Sequence, residues 1–251
     1  MKEKTFNTIF NIAIIVAMLV AVIASNVLKF QNPDVDRTLL VIASIGACMG
    51  VVNTVLSANG NILTFLFGFI DVVIYSYVCW KNGVVGQFAL HAFYFLPMQL
   101  VGFLQWKKRG ARADNQVRAK RFTKKQWLLM IPTVVVGLLV AFGILYAIDR
   151  AKLSSGALAE INTVKVATDA AALVVNILGQ VLLSLAFMEQ WFCWILVNVF
   201  SVTIWATTLL HSGADSSAVV MLLKYSFYFI NSLNGLRIWL KLSRPEAGQP
   251  A

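Results

Sequence analysis

Apolar residues run along this chain in eight long stretches, separated by short polar or charged segments. They cover about residues 8–29, 38–57, 61–80, 84–106, 126–148, 164–188, 190–210 and 216–240. A bilayer core of about 30 Å needs about 20 helical residues at about 1.5 Å each. Every stretch meets that length, so the pattern predicts eight transmembrane helices. Strands of a membrane barrel would be shorter and would alternate apolar with polar residues. The first stretch comes after Lys2 and Lys4, and its Val22-Ile23-Ala24 resembles a signal-peptide cleavage site. Its apolar run exceeds a typical signal core, so a retained helix is expected.

Polar residues inside the stretches fall on stripes at helical spacing. In the seventh the stripe is Trp191, Trp194, Asn198, Ser201 and Trp205; in the eighth it is Lys224, Tyr228, Asn231 and Asn234. The fourth carries Gln87, His91 and Tyr94, with Gln99 on the adjoining side, and the sixth carries Asn176 and Gln180 one turn apart. Polar groups in hydrocarbon are costly and face a bundle interior or a cavity. A lone Asn or Gln there often makes only an interhelical hydrogen bond of about 0.6 kcal/mol, and a lone Trp often marks the membrane surface. Trp191 could be such an anchor, and Trp106 and Trp239 are expected to be. Four polar-aromatic stripes together point instead to a central site walled by rings and amides. Trp and Tyr faces stack on a ring and attract positive charge, for about 0.5–2 kcal/mol. Asn and Gln offer donors and acceptors to hydroxyls. The expected solute is flat, neutral to cationic, and hydroxylated.

Spans two to four resemble spans six to eight. Phe93-Tyr94-Phe95, Gly102 and Trp106 align with Phe227-Tyr228-Phe229, Gly235 and Trp239, the first copy carrying one extra residue before its glycine. Asn82-Gly83 aligns with Ser212-Gly213. The fifth span has no counterpart. Two odd-numbered triples joined by one helix share the same orientation, the parallel-repeat arrangement of some small transporters.

Composition agrees with the span count: 59% of residues are hydrophobic and 13% charged, with mean hydropathy +0.76. Soluble domains run nearer 45–50% and about 25%, so this is an integral membrane protein. The net charge of +10 does not mark a nucleic-acid binder, because it gathers in one loop. Lys107, Lys108, Arg109, Arg112, Arg118, Lys120, Arg121, Lys124 and Lys125 face a single Asp114 there. Such a loop reads as cytoplasmic and favours contact with anionic membrane lipids. An even number of spans then puts both termini in the cytoplasm. Cys48, Cys79 and Cys193 are far apart and show no metal-ligand spacing; no metal or cofactor is expected. Arg237, the one arginine within a span, is expected to snorkel to the cytoplasmic surface.

At Trp191-x-x-Trp194-x-x-x-Asn198 the sequence resembles the PnuC family of bacterial vitamin transporters. Phe95-Leu96-Pro97-Met98-Gln99-x-x-Gly102-x-x-x-Trp106 and Tyr228-x-x-Asn231-x-x-Asn234-Gly235-x-x-x-Trp239 look like that family too. The resemblance covers residues 38–241. It implies a nicotinamide riboside transporter of the bacterial inner membrane, with a fold like the sugar-transporting SWEET proteins. It also implies a homotrimer, and facilitated diffusion trapped by phosphorylation in the cytosol. The first span departs from the seven-helix core.

The expected architecture is therefore all-α: an extra N-terminal helix and loop (1–37), a three-helix repeat (38–106), a basic loop with linker helix and outer loop (107–163), a second repeat (164–241) and a tail (242–251). The candidate binding residues are Trp191, Trp194, Asn198, Gln99, Asn231, Asn234, Tyr228, Gln180, Asn176, Gln87 and Tyr94. Asp71, Lys224 and His91 reach similar depths and could form a charge network, either holding helices together or coupling a proton to transport. Substrate alternatives within the same fold are thiamine, another riboside or a sugar. An enzyme is not expected: His91 and His211 lie in different spans, and no motif joins them to a nucleophile.

Overall fold

The structure, a computed structural model, describes residues 3–31, 33, 36–112, 115–152, 161–212 and 216–244. Lys2, Asp114, Gly213, the side chain of His211 and the tail past residue 244 lie outside the described residues. Among those described, the chain forms eight long helices. They are α1 (Glu3–Phe30), α2 (Arg37–Ala58), α3 (Thr64–Lys81), α4 (Val85–Lys108), α5 (Lys124–Lys152), α6 (Thr163–Ser184), α7 (Gln190–Ser212) and α8 (Ser216–Leu242). The first seven each contain a segment long and apolar enough to cross a membrane. Helix α8 is 27 residues long but carries Lys224, Asn231, Asn234 and Arg237. No strand occurs among the described residues; there is one isolated bridge between Lys120 and Phe187.

Helices α2 and α6 begin the same way. The Asp36 side chain accepts from the Leu39 N–H at 3.0 Å, and Asn162 accepts from the Lys165 N–H at 2.9 Å. Each cap satisfies a backbone donor that the first turn leaves unpaired. Helix α2 packs on α3, α7 on α8, and α4 on both α3 and α6. Helix α1 lies against α2 and α8, while α5 leans on α6.

Helix α4 widens into a π turn at His91–Phe95. The Leu96 N–H donates to the His91 carbonyl, five residues back. Two causes converge here. Pro97 has no N–H and its ring crowds the carbonyl four residues earlier, and the chain holds one residue more here than at the matching place in α8. A π turn is how a helix absorbs an inserted residue.

The densest packing lies toward the basic loop. Their sequence positions put Trp106 and Trp239 at the membrane surface, but both are fully buried. The two rings lie 5.3 Å apart within a cluster that includes Ala58, Phe65, Leu183 and Trp191. The Trp106 indole donates to the Leu183 carbonyl at 2.8 Å, and the Trp239 indole to the Ser57 carbonyl at 3.0 Å. Ser57 and Leu183 hold equivalent places, next to last in α2 and α6. Buried indoles find polar partners, and here they tie α4 to the end of α6 and α8 to the end of α2. Arg237 does not simply snorkel. It donates to Asn234 Oδ1 (2.8 Å from Nη2) and to Asn7 of α1, and its guanidinium lies 5.3 Å over the Phe6 ring.

The basic loop is a strap rather than a free loop. Ala111 and Val117 are buried. Backbone bonds run from Val117 to Gly60 (3.0 Å), from Ala119 to Leu242 (3.2 Å) and from Lys120 to Ala186 (2.7 Å). The Phe122 N–H donates to Glu189 Oε1 at 2.8 Å. The strap thus joins the ends of α2, α6 and α8 beneath the tryptophan cluster. Burial, then the nearby Arg109, lowers the Lys120 pKa below the usual lysine value.

Candidate functional site

Above the tryptophan cluster lies a cavity of about 360 Å³, walled by α2, α6, α7 and α8. That volume is at the small end for organic ligands. Helix α7 supplies Trp191, Trp194 and Asn198, which share one face because steps of three and four residues nearly complete helical turns. Helix α6 supplies Asn176 and Gln180, and α8 supplies Tyr225, Tyr228, Asn231 and Ser232.

Glycines seat the two indoles. A Cβ at Gly235 would overlap the Trp191 ring, and one at Gly179 would lie 3.1 Å from the Trp194 ring. Trp191 is buried at 2% exposure, with its ring 6.2 Å from Trp239. Trp194 is half-buried, and its indole donates to Gln190 Oε1 at 3.3 Å. Asn231 is fully buried and donates to the Thr54 carbonyl at 3.2 Å. Gln180 donates to Ser184 Oγ at 3.2 Å, which in turn donates to the Met98 carbonyl at 3.1 Å.

Two buried polar atoms on residues of the cavity wall have no hydrogen-bond partner: the donor Trp191 Nε1 and the acceptor Asn231 Oδ1. A buried polar atom left unpaired costs about 1–3 kcal/mol. Both atoms are closed off from the cavity surface in this arrangement, so a bound molecule carrying an acceptor and a donor would relieve them only once the wall shifts. Among the wall residues there is no charged side chain, so the chemistry on offer is stacking plus neutral hydrogen bonding.

Seven of the sequence candidates meet on this cavity: Trp191, Trp194, Asn198, Asn231, Tyr228, Gln180 and Asn176. Four do not. Gln99 is buried against Gly68, where a Cβ would come within 2.6 Å of its Oε1. Asn234 Oδ1 is taken by Arg237. The Tyr94 hydroxyl donates to the Ile177 carbonyl at 2.7 Å. Gln87 lines a separate cavity between α4, α5 and α6. Conversely, Asn53, Thr54, Ser57, Tyr225 and Ser232 line the site and are not among the sequence candidates. Asn53 and Ser57 are one turn apart, so the stripe rule applied to span two would have found them.

The expected charge network divides. Asp71, Lys224 and Lys29 line one cavity of about 330 Å³, which also contains Tyr75 and Tyr228. The carboxylate fits because α2 passes it with Gly46 and Gly50. Among the described residues the ion pair within 4 Å is Lys165–Asp169, not Asp71–Lys224. Lys224 instead lies 5.6 Å over the Tyr228 ring and 5.7 Å over Tyr225. His91 does not line that cavity. It packs on Tyr75 at 4.5 Å and Phe95 at 4.9 Å, and its Nδ1 lies 2.8 Å from the Gln87 carbonyl, which accepts.

Known proteins resemble this arrangement over most of its length. A family described as nicotinamide mononucleotide transporter matches residues 40–241. A protein named nicotinamide riboside transporter PnuC from Neisseria mucosa is 33% identical over 212 residues, covering 83% of this chain and 75% of its own. The protein of that name from Haemophilus influenzae is 30% identical over 203 residues, covering 80% of each. The Escherichia coli protein of that name is 21% identical over 220 residues, covering 83% of this chain and 88% of its own. A crystal structure described as the vitamin B3 transporter PnuC matches with TM-score 0.61 and 33% identity, covering 90% of this chain and 89% of that one.

Proposed function

This chain belongs to the nicotinamide mononucleotide transporter family, and from that membership we propose that it carries nicotinamide riboside across the bacterial inner membrane. The observation that carries the reading is the central cavity, with two tryptophans, two tyrosines and a ring of amides and hydroxyls. Nicotinamide riboside is an aromatic pyridinium joined to ribose, and its carboxamide holds an acceptor and a donor. Trp191 and Trp194 bound the ring. Asn198, Asn231, Gln180 and Asn176 meet the ribose hydroxyls or the carboxamide. Gln99, Asn234 and Tyr94 support the site from behind the wall rather than touching the solute.

Transport is facilitated diffusion, made one-way by phosphorylation in the cytosol. Both termini and the basic strap face the cytoplasm, and three copies assemble. Uptake of labelled nicotinamide riboside into proteoliposomes tests the carrier. A matched titration with thiamine and nicotinamide tests the solute. Tighter binding of thiamine would reassign the substrate.

A second reading has its own observation. Asp71 lines a polar cavity without a contact ion pair to Lys224, so its proton could move during the cycle. Imposing a pH gradient without a substrate gradient decides it. Accumulation that Asp71→Asn abolishes, with downhill uptake kept, means proton coupling.

A further inference from the structure

Two other polar cavities flank the central one, near the helix ends opposite the strap. The larger, about 640 Å³, lies between α4, α5 and α6. The smaller is the Asp71 cavity between α1, α2, α3 and α8. Each shares a wall residue with the central cavity: Asn176 for the larger, Tyr228 for the smaller. Neither lies on the strap side, where the buried tryptophan cluster fills the space.

The larger cavity repeats the chemistry of the central site. Gln87 and Asn176 contribute amides, and the His91 and Phe95 rings contribute an aromatic wall. To these it adds the Asp169 carboxylate, of which Lys165 engages Oδ2 at 2.7 Å. Asp169 and Asn176 lie six and thirteen residues into α6 from Thr163, about 9 and 20 Å along the axis. The wall therefore descends from near the helix ends to the central cavity. Its α4 side includes His91 and Phe95, the two ends of the π turn, a local widening often found at functional sites. The smaller cavity has Lys29 and Lys224 against one carboxylate, Asp71, an excess of positive charge that disfavours a cation.

We propose that the cavity between α4, α5 and α6 is an outer subsite, which takes up a hydroxylated aromatic cation and passes it at Asn176 to the central site. The subsite rests on the carrier reading above and assigns a role to Gln87, His91 and Asp169, which the central cavity leaves unused.

The test uses the full chain with Cys48, Cys79 and Cys193 replaced by alanine. Gly86→Cys places a thiol on the larger cavity, where a Cβ meets nothing within 4 Å. Ala43→Cys places one on the smaller. Each variant is treated with trimethylammonium-ethyl and sulfonato-ethyl methanethiosulfonate, with rates normalised to a free thiol. Gly86→Cys should favour the cationic reagent about fivefold, Asp169→Asn should remove that preference, and Ala43→Cys should favour the anionic one. Modification at Gly86→Cys should also slow nicotinamide riboside association at least about tenfold, and a reducing agent should restore it. Equal reagent rates at Gly86→Cys, or slowed association only from Ala43→Cys, would overturn the subsite. If the parent chain binds no nicotinamide riboside, the carrier reading fails. The reagent preference then still decides the subsite for cations in general.

Discussion

Removing the Trp194 ring should weaken substrate binding far more than it weakens the fold. Trp194 is half-buried, with one edge on Gly179 and the cavity beside it. A pyridinium stacked on an indole gains about 0.5–2 kcal/mol from charge and quadrupole. Covering about 60 Å² of apolar ring surface adds about 1.5 kcal/mol at about 25 cal/mol per Å². Together these amount to about 2–3.5 kcal/mol, or a loss of about 30- to 400-fold in affinity. Trp194→Ala should therefore raise the dissociation constant by that range in calorimetric titration of purified protein. Trp194→Phe keeps a smaller ring and should fall between parent and alanine variant. The fold should survive both, because Trp194 is not among the fully buried side chains. A Trp194→Ala protein with the parent's thermal midpoint and a dissociation constant within about threefold of the parent would refute the stacking role.

Asn198→Leu should reduce affinity for the riboside by about 1–3 kcal/mol, the cost of an unpaired partner in a buried site, and affect free nicotinamide less; equal losses in parallel titrations would make Asn198 a helix-packing residue. Nicotinamide mononucleotide should bind much more weakly than the riboside in the same titrations, because the central wall has no cationic side chain to offset phosphate desolvation. Trp106→Phe and Trp239→Phe should each destabilise the fold by about 1–3 kcal/mol and to a similar extent, since each loses one indole hydrogen bond and part of a fully buried ring, while the carbonyl it leaves still accepts from the backbone N–H three residues on; thermal unfolding that moves for only one of them would contradict their equivalence. Gly235→Ala should cost about 1–3 kcal/mol by driving a methyl into the Trp191 ring, read as a lower thermal midpoint together with weaker riboside binding.

The helices were legible because hydrocarbon leaves little choice: an apolar run of bilayer length must satisfy its own backbone. The stripes of α7 and α8 were legible for a related reason, as polar groups there must face inward. A stripe does not say which inward-facing residue reaches the cavity. Gln99 and Asn198 look alike in sequence, yet Gln99 is absorbed by the gap at Gly68 while Asn198 lines the open space. Trp106 and Trp239 read as surface anchors because they stand near span ends beside basic residues. The strap then covers those ends, in part through backbone bonds to Gly60, Ala186 and Leu242. Those bonds join residues far apart in the chain through main-chain atoms, which carry no side-chain signal. Asp71 and Lys224 share a cavity without a contact ion pair, because depth along two helices does not fix the distance between them.

The same packing device has been put to different uses in the two halves. Gly102 receives Phe65 and Gly235 receives Trp191, and each pair sits beside the indole that bonds across to the other half. About one helical turn further along, α3 has Gly68 where α7 has Trp194, each three residues beyond the seated ring. Gln99 fills the space at Gly68, whereas Trp194 stands against the small Gly179 and opens toward the cavity. Reciprocal packing holds the strap-side end shut, and the asymmetry above it leaves room for one solute on the α7 side. The π turn belongs to the same division. It falls in α4, whose Tyr94 is tied to the α6 backbone, while Tyr228 at the matching place in α8 remains on the cavity wall. A π turn takes up the inserted residue within one wide turn, so the helix before it and the helix after it keep their phase. Gln87, before that turn, and His91, at its start, line the outer cavity, whereas Tyr228 in the regular helix α8 lines the central one.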